Sequence, residues 1–165
     1  INMDLREDKG WSYGAYTVLL SARGQRTFLV ITSVQTDKTS QSIAEAMKDL
    51  RGFVGDKPVT TAELDKTIQN SFLSLAGRWQ TASGVLNSIS RIIQYGLPDD
   101  YYNQYPDRLK GLTLDEVHNA ATEVVHPDSL VWVVAGDRAR VGDSLAKLGL
   151  GPVKLIDADG NPVTE

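Results

Sequence analysis

After Thr36 to Ser40, which offers several N-cap candidates, the chain reads as one helix after another as far as Val124, with no strand-like run between them. Ile43, Met47, Leu50 and Val54 form the first apolar stripe. Leu64, Ile68, Phe72 and Leu75 form the second, and Val85, Leu86, Ile89 and Ile93 the third. Such spacing puts each set on one face of a helix. A short helix over Asp99 to Arg108 follows, then one with Leu114, Val117, Ala121 and Val124 on its inner side. Strands lie outside this block. Ser12 to Leu20 and Thr27 to Val34 are rich in β-branched and aromatic residues, and Ala22-Arg23-Gly24-Gln25 between them predicts a hairpin. Leu130 to Ala135 reads as a buried strand, Val141 to Leu148 as a helix and Val153 to Ile156 as a last strand. Grouped helices exclude a strictly alternating βαβ chain. They predict an α+β fold, a mostly antiparallel sheet with helices packed on one face.

Local chemistry marks the helix ends. Thr60-Thr61-Ala62-Glu63 and Thr113-Leu114-Asp115-Glu116 fit the capping box, in which the Thr side chain and the Glu three residues on satisfy each other's backbone N–H. Gly96-Leu97-Pro98 supplies a helix stop. Ile1 to Asp8 reads as the last turns of a helix, with Ile1 and Leu5 on one face and Gly10 as the stop. A domain that opens on a helix tail is expected to be a fragment of a longer protein, lacking an earlier strand and most of a helix. Its 165 residues, 1–165, make one domain.

Composition removes several kinds of function. A net charge of -4 without a basic run argues against nucleic acid as a partner. The absence of cysteine excludes disulfides, thiol catalysis and cysteine-type zinc sites. No apolar run reaches membrane-spanning length, so no membrane insertion is expected.

Few residues carry the marks of a chemical site. The two histidines, His118 and His126, are eight apart, and no H-E-x-x-H or H-x-x-E-H pair occurs. Eight residues is slightly over two helical turns, so the imidazoles could share a side of an unbroken helix. Pro127 ends the helix near His126, which reads the pair instead as exposed helix residues. Asp157-Ala158-Asp159-Gly160-Asn161 has the start of a calcium loop but not its downstream Glu, so a polar turn is the simpler reading. Asp99-Asp100 reads as a helix N-terminus rather than an acid/base pair. No G-x-S-x-G elbow is present. Tyr101, Tyr102 and Tyr105 read either as core residues at helical spacing or as a sticky surface. Arg6, at a helix end, and Tyr13, at a strand start, flank the flexible Gly10. The guanidinium's donor fork and the phenol's single donor could converge on a peptide carbonyl or oxyanion, or could be a surface pair near a turn.

Leu5-Arg6-Glu7 followed by Gly10-Trp11-Ser12-Tyr13, with a seven-residue step from Arg to Tyr, resembles the metal-free, C-terminal half of pitrilysin/insulinase zinc peptidases, the class that includes mitochondrial processing peptidase. The resemblance continues through Thr36 to Phe53, Val59 to Leu64, Tyr105-Pro106 through Val117, Val124 to Asp128 and Val133 to Asp137, in order along nearly the whole chain. It implies a processing-peptidase-type domain that completes the substrate chamber of a zinc-bearing half, either in the same chain or as a separate subunit. Arg6 would hold the substrate backbone, and Tyr13 would donate to the tetrahedral intermediate, both acting in trans. The domain itself would hold no cofactor, with zinc in the partner half. Peptide would be the substrate, and the domain alone would be inactive. Members in Gram-negative bacteria are often periplasmic, which makes the periplasm the expected location. The glycine-rich loop of one mitochondrial processing subunit has no counterpart here, so substrate preference does not carry over. The alternative within the same family is a non-catalytic scaffold or partner subunit. A third reading is a free-standing peptide-binding module.

Overall fold

The computed structural model describes residues 1–163, the side chain of Ala76 apart. A π-helical segment, Met3–Asp8, precedes a two-stranded antiparallel sheet of β1 (Ser12–Leu19) and β2 (Phe28–Val34). Then come α1 (Thr39–Val54), α2 (Thr61–Arg78), α3 (Ala82–Tyr95), α4 (Tyr101–Lys110), α5 (Leu114–Val124) and α6 (Arg138–Ala146). The fold is α+β, as the grouped helices predict. The chain divides into two compact units. One comprises Ile1–Val18, Val30–Leu50 and the described residues from Pro127 on; the other comprises Leu19–Leu29 and Arg51–His126. No helix among the described residues is long and apolar enough to cross a membrane.

In the first unit, Ile43, Met47 and Leu50 of α1 are buried, as their spacing predicts, together with Ala46, Leu5, Ala15 and Val141. Leu5 is 0% exposed. Gly10 turns the chain from the helical segment into β1 at a φ of 63°, a left-handed conformation that costs glycine little. The turn is tied by hydrogen bonds from Gly10 N–H to the Arg6 carbonyl (3.2 Å) and from Trp11 N–H to the Leu5 carbonyl (2.9 Å). Ala15 N–H donates to Asn2 Oδ1 at 3.0 Å, so β1 doubles back beside the segment that precedes it.

In the second unit both capping boxes form. Thr60 and Thr113 accept from the N–H groups of Glu63 and Glu116, whose carboxylates accept in return from the Thr60 and Thr113 N–H groups. Gly96 closes α3 in the left-handed conformation. Of the three tyrosines, Tyr102 is the core residue: it is buried, and its ring meets those of Trp79 and the half-buried Tyr101 edge-on at 5.2 Å each. The hairpin end is held by Arg23, whose Nε donates to the Gln94 carbonyl at 3.2 Å. Replacing Thr113 with Ala removes an acceptor for an otherwise orphaned N–H and is expected to cost about 1 kcal/mol. A shift in the urea midpoint measures this, and an unshifted midpoint would mean that the cap carries no stability.

Three expectations fail. Leu130–Ala135, predicted as a buried strand, pairs with no described segment, and Val131 is 88% exposed. Val153–Ile156 joins only a single bridge, Ile156 to Pro162. β-propensity reports fit to a pleated surface, whereas a ladder needs a second backbone alongside, which is a non-local condition. The third stripe is also turned the wrong way. Leu86, Ile89 and Ile93 are exposed, while Ser88 is 1% exposed. Ser88 tolerates burial because its hydroxyl donates to the Gly84 carbonyl (2.9 Å) within its own helix. Gly84 sits at the α2–α3 corner, where a Cβ would overlap the Arg78 carbonyl oxygen.

Candidate functional site

The turn around Gly10 positions the two residues that the sequence singles out. Arg6 lies within the π-helical segment, exposed, with its Nε 3.4 Å from Glu7 Oε1. An exposed pair of neighbours such as this holds the guanidinium weakly. Tyr13 is the second residue of β1, and its side chain is 97% exposed. Neither group is locked in the core. The backbone bonds across the turn anchor the two limbs that carry them: Leu5, next to Arg6, accepts from Trp11, two residues before Tyr13. Between the limbs, the Lys9 ammonium lies 5.2 Å from the centre of the Trp11 ring, a cation–π contact that stiffens the turn.

Beside this turn lies a cluster that sequence reasoning missed. One oxygen each of Asp4, Glu45 and Asp49 fall within 4.8 Å of one another. Glu45 and Asp49 are four apart on α1, a spacing visible in the sequence, but Asp4 joins them only through the fold. Lys9 Nζ lies 3.6 Å from Asp4 and 3.8 Å from Glu45, and Lys48 binds Glu45. Burial, then a hydrogen bond with Glu45, then the charges of Asp49 and Glu45 hold the Asp4 carboxyl above the usual carboxylate range. Glu45 is held below it, mainly by the bond from Lys48.

The raised Asp4 value has a consequence for stability. Between the ordinary and the raised value, the folded chain holds more protons than the unfolded one, so this group's contribution falls as pH rises through that window. Asp4→Asn keeps a donor for Glu45 and removes the charge. The variant is expected to gain in thermal midpoint over the parent as pH rises from about 3 to 7. A gap independent of pH would contradict this account of Asp4.

The donors of the acidic cluster are not those usual for zinc. The acidic cluster offers carboxylates paired with the ammonium groups of Lys9, Lys48 and Ile1, whereas protein zinc sites draw chiefly on His and Cys. His118 is half-buried within α5, and His126 lies exposed beyond that helix's end at Val124. Asp157 uses its carboxylate on its own turn. Its Oδ1 accepts from the N–H groups of Asp159 (2.9 Å) and Asn161 (2.8 Å), the arrangement of a polar turn. The Asn161 bonds also hold the Asp157 carboxyl below its usual range. Asp100 precedes α4 without capping it, and accepts from the Gln104 side chain instead.

The fold is similar to that of a solved peptidase domain. The crystal structure of the peptidase M16 inactive domain from Pseudomonas fluorescens matches with a TM-score of 0.66 and 17% identity, over 76% of this chain and 29% of that one. The chain therefore covers less than a third of the length of the structure it matches. No family profile and no curated protein sequence matches it.

Proposed function

We propose that this chain is the metal-free, supporting half of a zinc metalloendopeptidase of the pitrilysin/insulinase class, to which the M16 designation refers. The observation that carries the reading is the exposure of Tyr13: a phenol 97% in solvent at the start of a strand does no packing work, and Arg6 stands exposed on the other limb of the same turn. The fold likeness to a peptidase inactive domain supports it.

In this mechanism the chain completes the substrate chamber of a zinc-bearing half, and its own residues supply hydrogen bonds. Arg6 offers its fork of N–H donors to a substrate backbone carbonyl. Tyr13 donates its O–H to the oxygen that becomes negative as the scissile carbonyl turns tetrahedral. Zinc, bound by the other half, supplies polarisation of that carbonyl and an activated water.

Purified alone, the chain is expected to cleave no fluorogenic peptide. Activity is expected to appear on addition of an H-x-x-E-H-bearing half. Cleavage by the chain alone, or a silent mixture of correctly folded halves, would reject the proposal. The second reading, a non-catalytic partner subunit, draws on the exposed Leu86, Ile89 and Ile93 of α3, since contiguous exposed apolar side chains mark contact surfaces. It expects assembly with the zinc half without dependence of activity on Arg6 or Tyr13.

A further inference from the structure

We infer that the second unit carries a peptide-docking cleft, built to take a C-terminal carboxylate whose last residue has a bulky apolar side chain. The site is made of two adjoining depressions. One, of about 420 Å³, is open and of mixed polar and apolar lining, bordered by Lys57, Pro58, Lys66 and Asn70. The other, of about 200 Å³, is almost wholly apolar, walled by Leu64, Ile68, Leu109, Leu112 and Val117. Phe53, Val59 and Thr67 border both, so the two depressions lie side by side. A benzene ring fits a cavity of roughly 150 Å³, so this half-open depression has room for one Phe or Leu side chain. Ligand sites span roughly 300–1,000 Å³, and the two parts together fall in that range.

Charge selects the occupant. Lys57 and Lys66 make no ion pair among the described residues. Glu63, the carboxylate at the rim, is already engaged, with its Oε2 accepting from the Thr60 N–H at 2.9 Å and the Thr60 hydroxyl at 2.7 Å. Two unpaired ammonium groups beside an apolar slot complement an anion joined to an apolar group. An alkyl carboxylate has that pattern too. The larger part, however, also presents the Asn70 amide, which can pair with a peptide backbone and finds no partner on an alkyl chain, while the Thr67 hydroxyl is already spent on the Glu63 carbonyl at 2.8 Å. The cleft uses neither Arg6 nor Tyr13, so it stands or falls apart from the peptidase reading.

The test is a titration of the 15N-labelled 165-residue chain with an N-acetylated tetrapeptide ending in Phe, its C-terminal amide, and decanoate. Saturable shifts are expected within Phe53–Ser71 and Leu109–Val117, with the free acid bound about tenfold or more tighter than the amide. Lys57→Glu combined with Lys66→Glu, both at exposed positions, is expected to erase that preference. Thr67→Phe, also exposed, fills the junction and is expected to block the peptide. The inference is overturned if no shift saturates by millimolar peptide, if acid and amide bind equally, or if decanoate binds more tightly than the peptide.

Discussion

Tyr13→Phe is expected to lower kcat of the assembled peptidase by about 10²–10³-fold, the usual effect of deleting one oxyanion donor. KM is expected to stay near its parent value, because the lost bond forms only as the carbonyl oxygen takes up charge. Stability is also expected to stay unchanged. The side chain is 97% exposed, so removing one hydroxyl breaks no packing. Steady-state kinetics with an unfolding curve for the same preparation separate the two effects. An unchanged kcat would remove Tyr13 from the chemistry. A fallen midpoint would mean that the hydroxyl serves the fold instead.

Leu5→Ala is expected to cost about 2–5 kcal/mol, the range for truncating a buried aliphatic side chain. Leu5 is 0% exposed, so both the lost transfer energy and the cavity left behind count. Domain stabilities run at roughly 5–15 kcal/mol, so the variant loses a large part of the total. Leu5→Met, which nearly conserves volume, is expected to cost under about 1.5 kcal/mol. Urea denaturation of the two variants compares them directly, and equal midpoints would contradict a close-packed Leu5. The substitution also bears on the site. The Leu5 backbone accepts from Trp11 across the turn, so a cavity there loosens the limbs that carry Arg6 and Tyr13.

What was legible in the sequence was local. Thr60 with Glu63, and Thr113 with Glu116, form the capping boxes that their spacing predicts, because both partners lie within one helical turn. Gly10 and Gly96 take left-handed conformations where a helix stop belongs. Ile43, Met47 and Leu50 of the α1 stripe are buried for the same reason, with Val54 half-buried: periodicity is a property of the helix alone. Non-local features were not legible. Leu130–Ala135 has the composition of a strand, but pairing depends on a backbone elsewhere. The α3 stripe gives a correct helix and the wrong buried side, since Ser88 meets its own hydrogen-bond need within the helix and Leu86 is left outside. For the site, the residue types around Gly10 could be read directly. The Asp4–Glu45–Asp49 cluster could not, because its first member lies 41 residues from the second in the chain.

The measurement that bears most directly on this account is a crystal structure of the two halves together with a transition-state-analogue peptide bound at the zinc. The account predicts the Tyr13 hydroxyl about 2.7–3.1 Å from the analogue's oxyanion, with the Arg6 guanidinium bonded to its backbone. Both side chains turned to bulk solvent, away from the bound peptide, would contradict it.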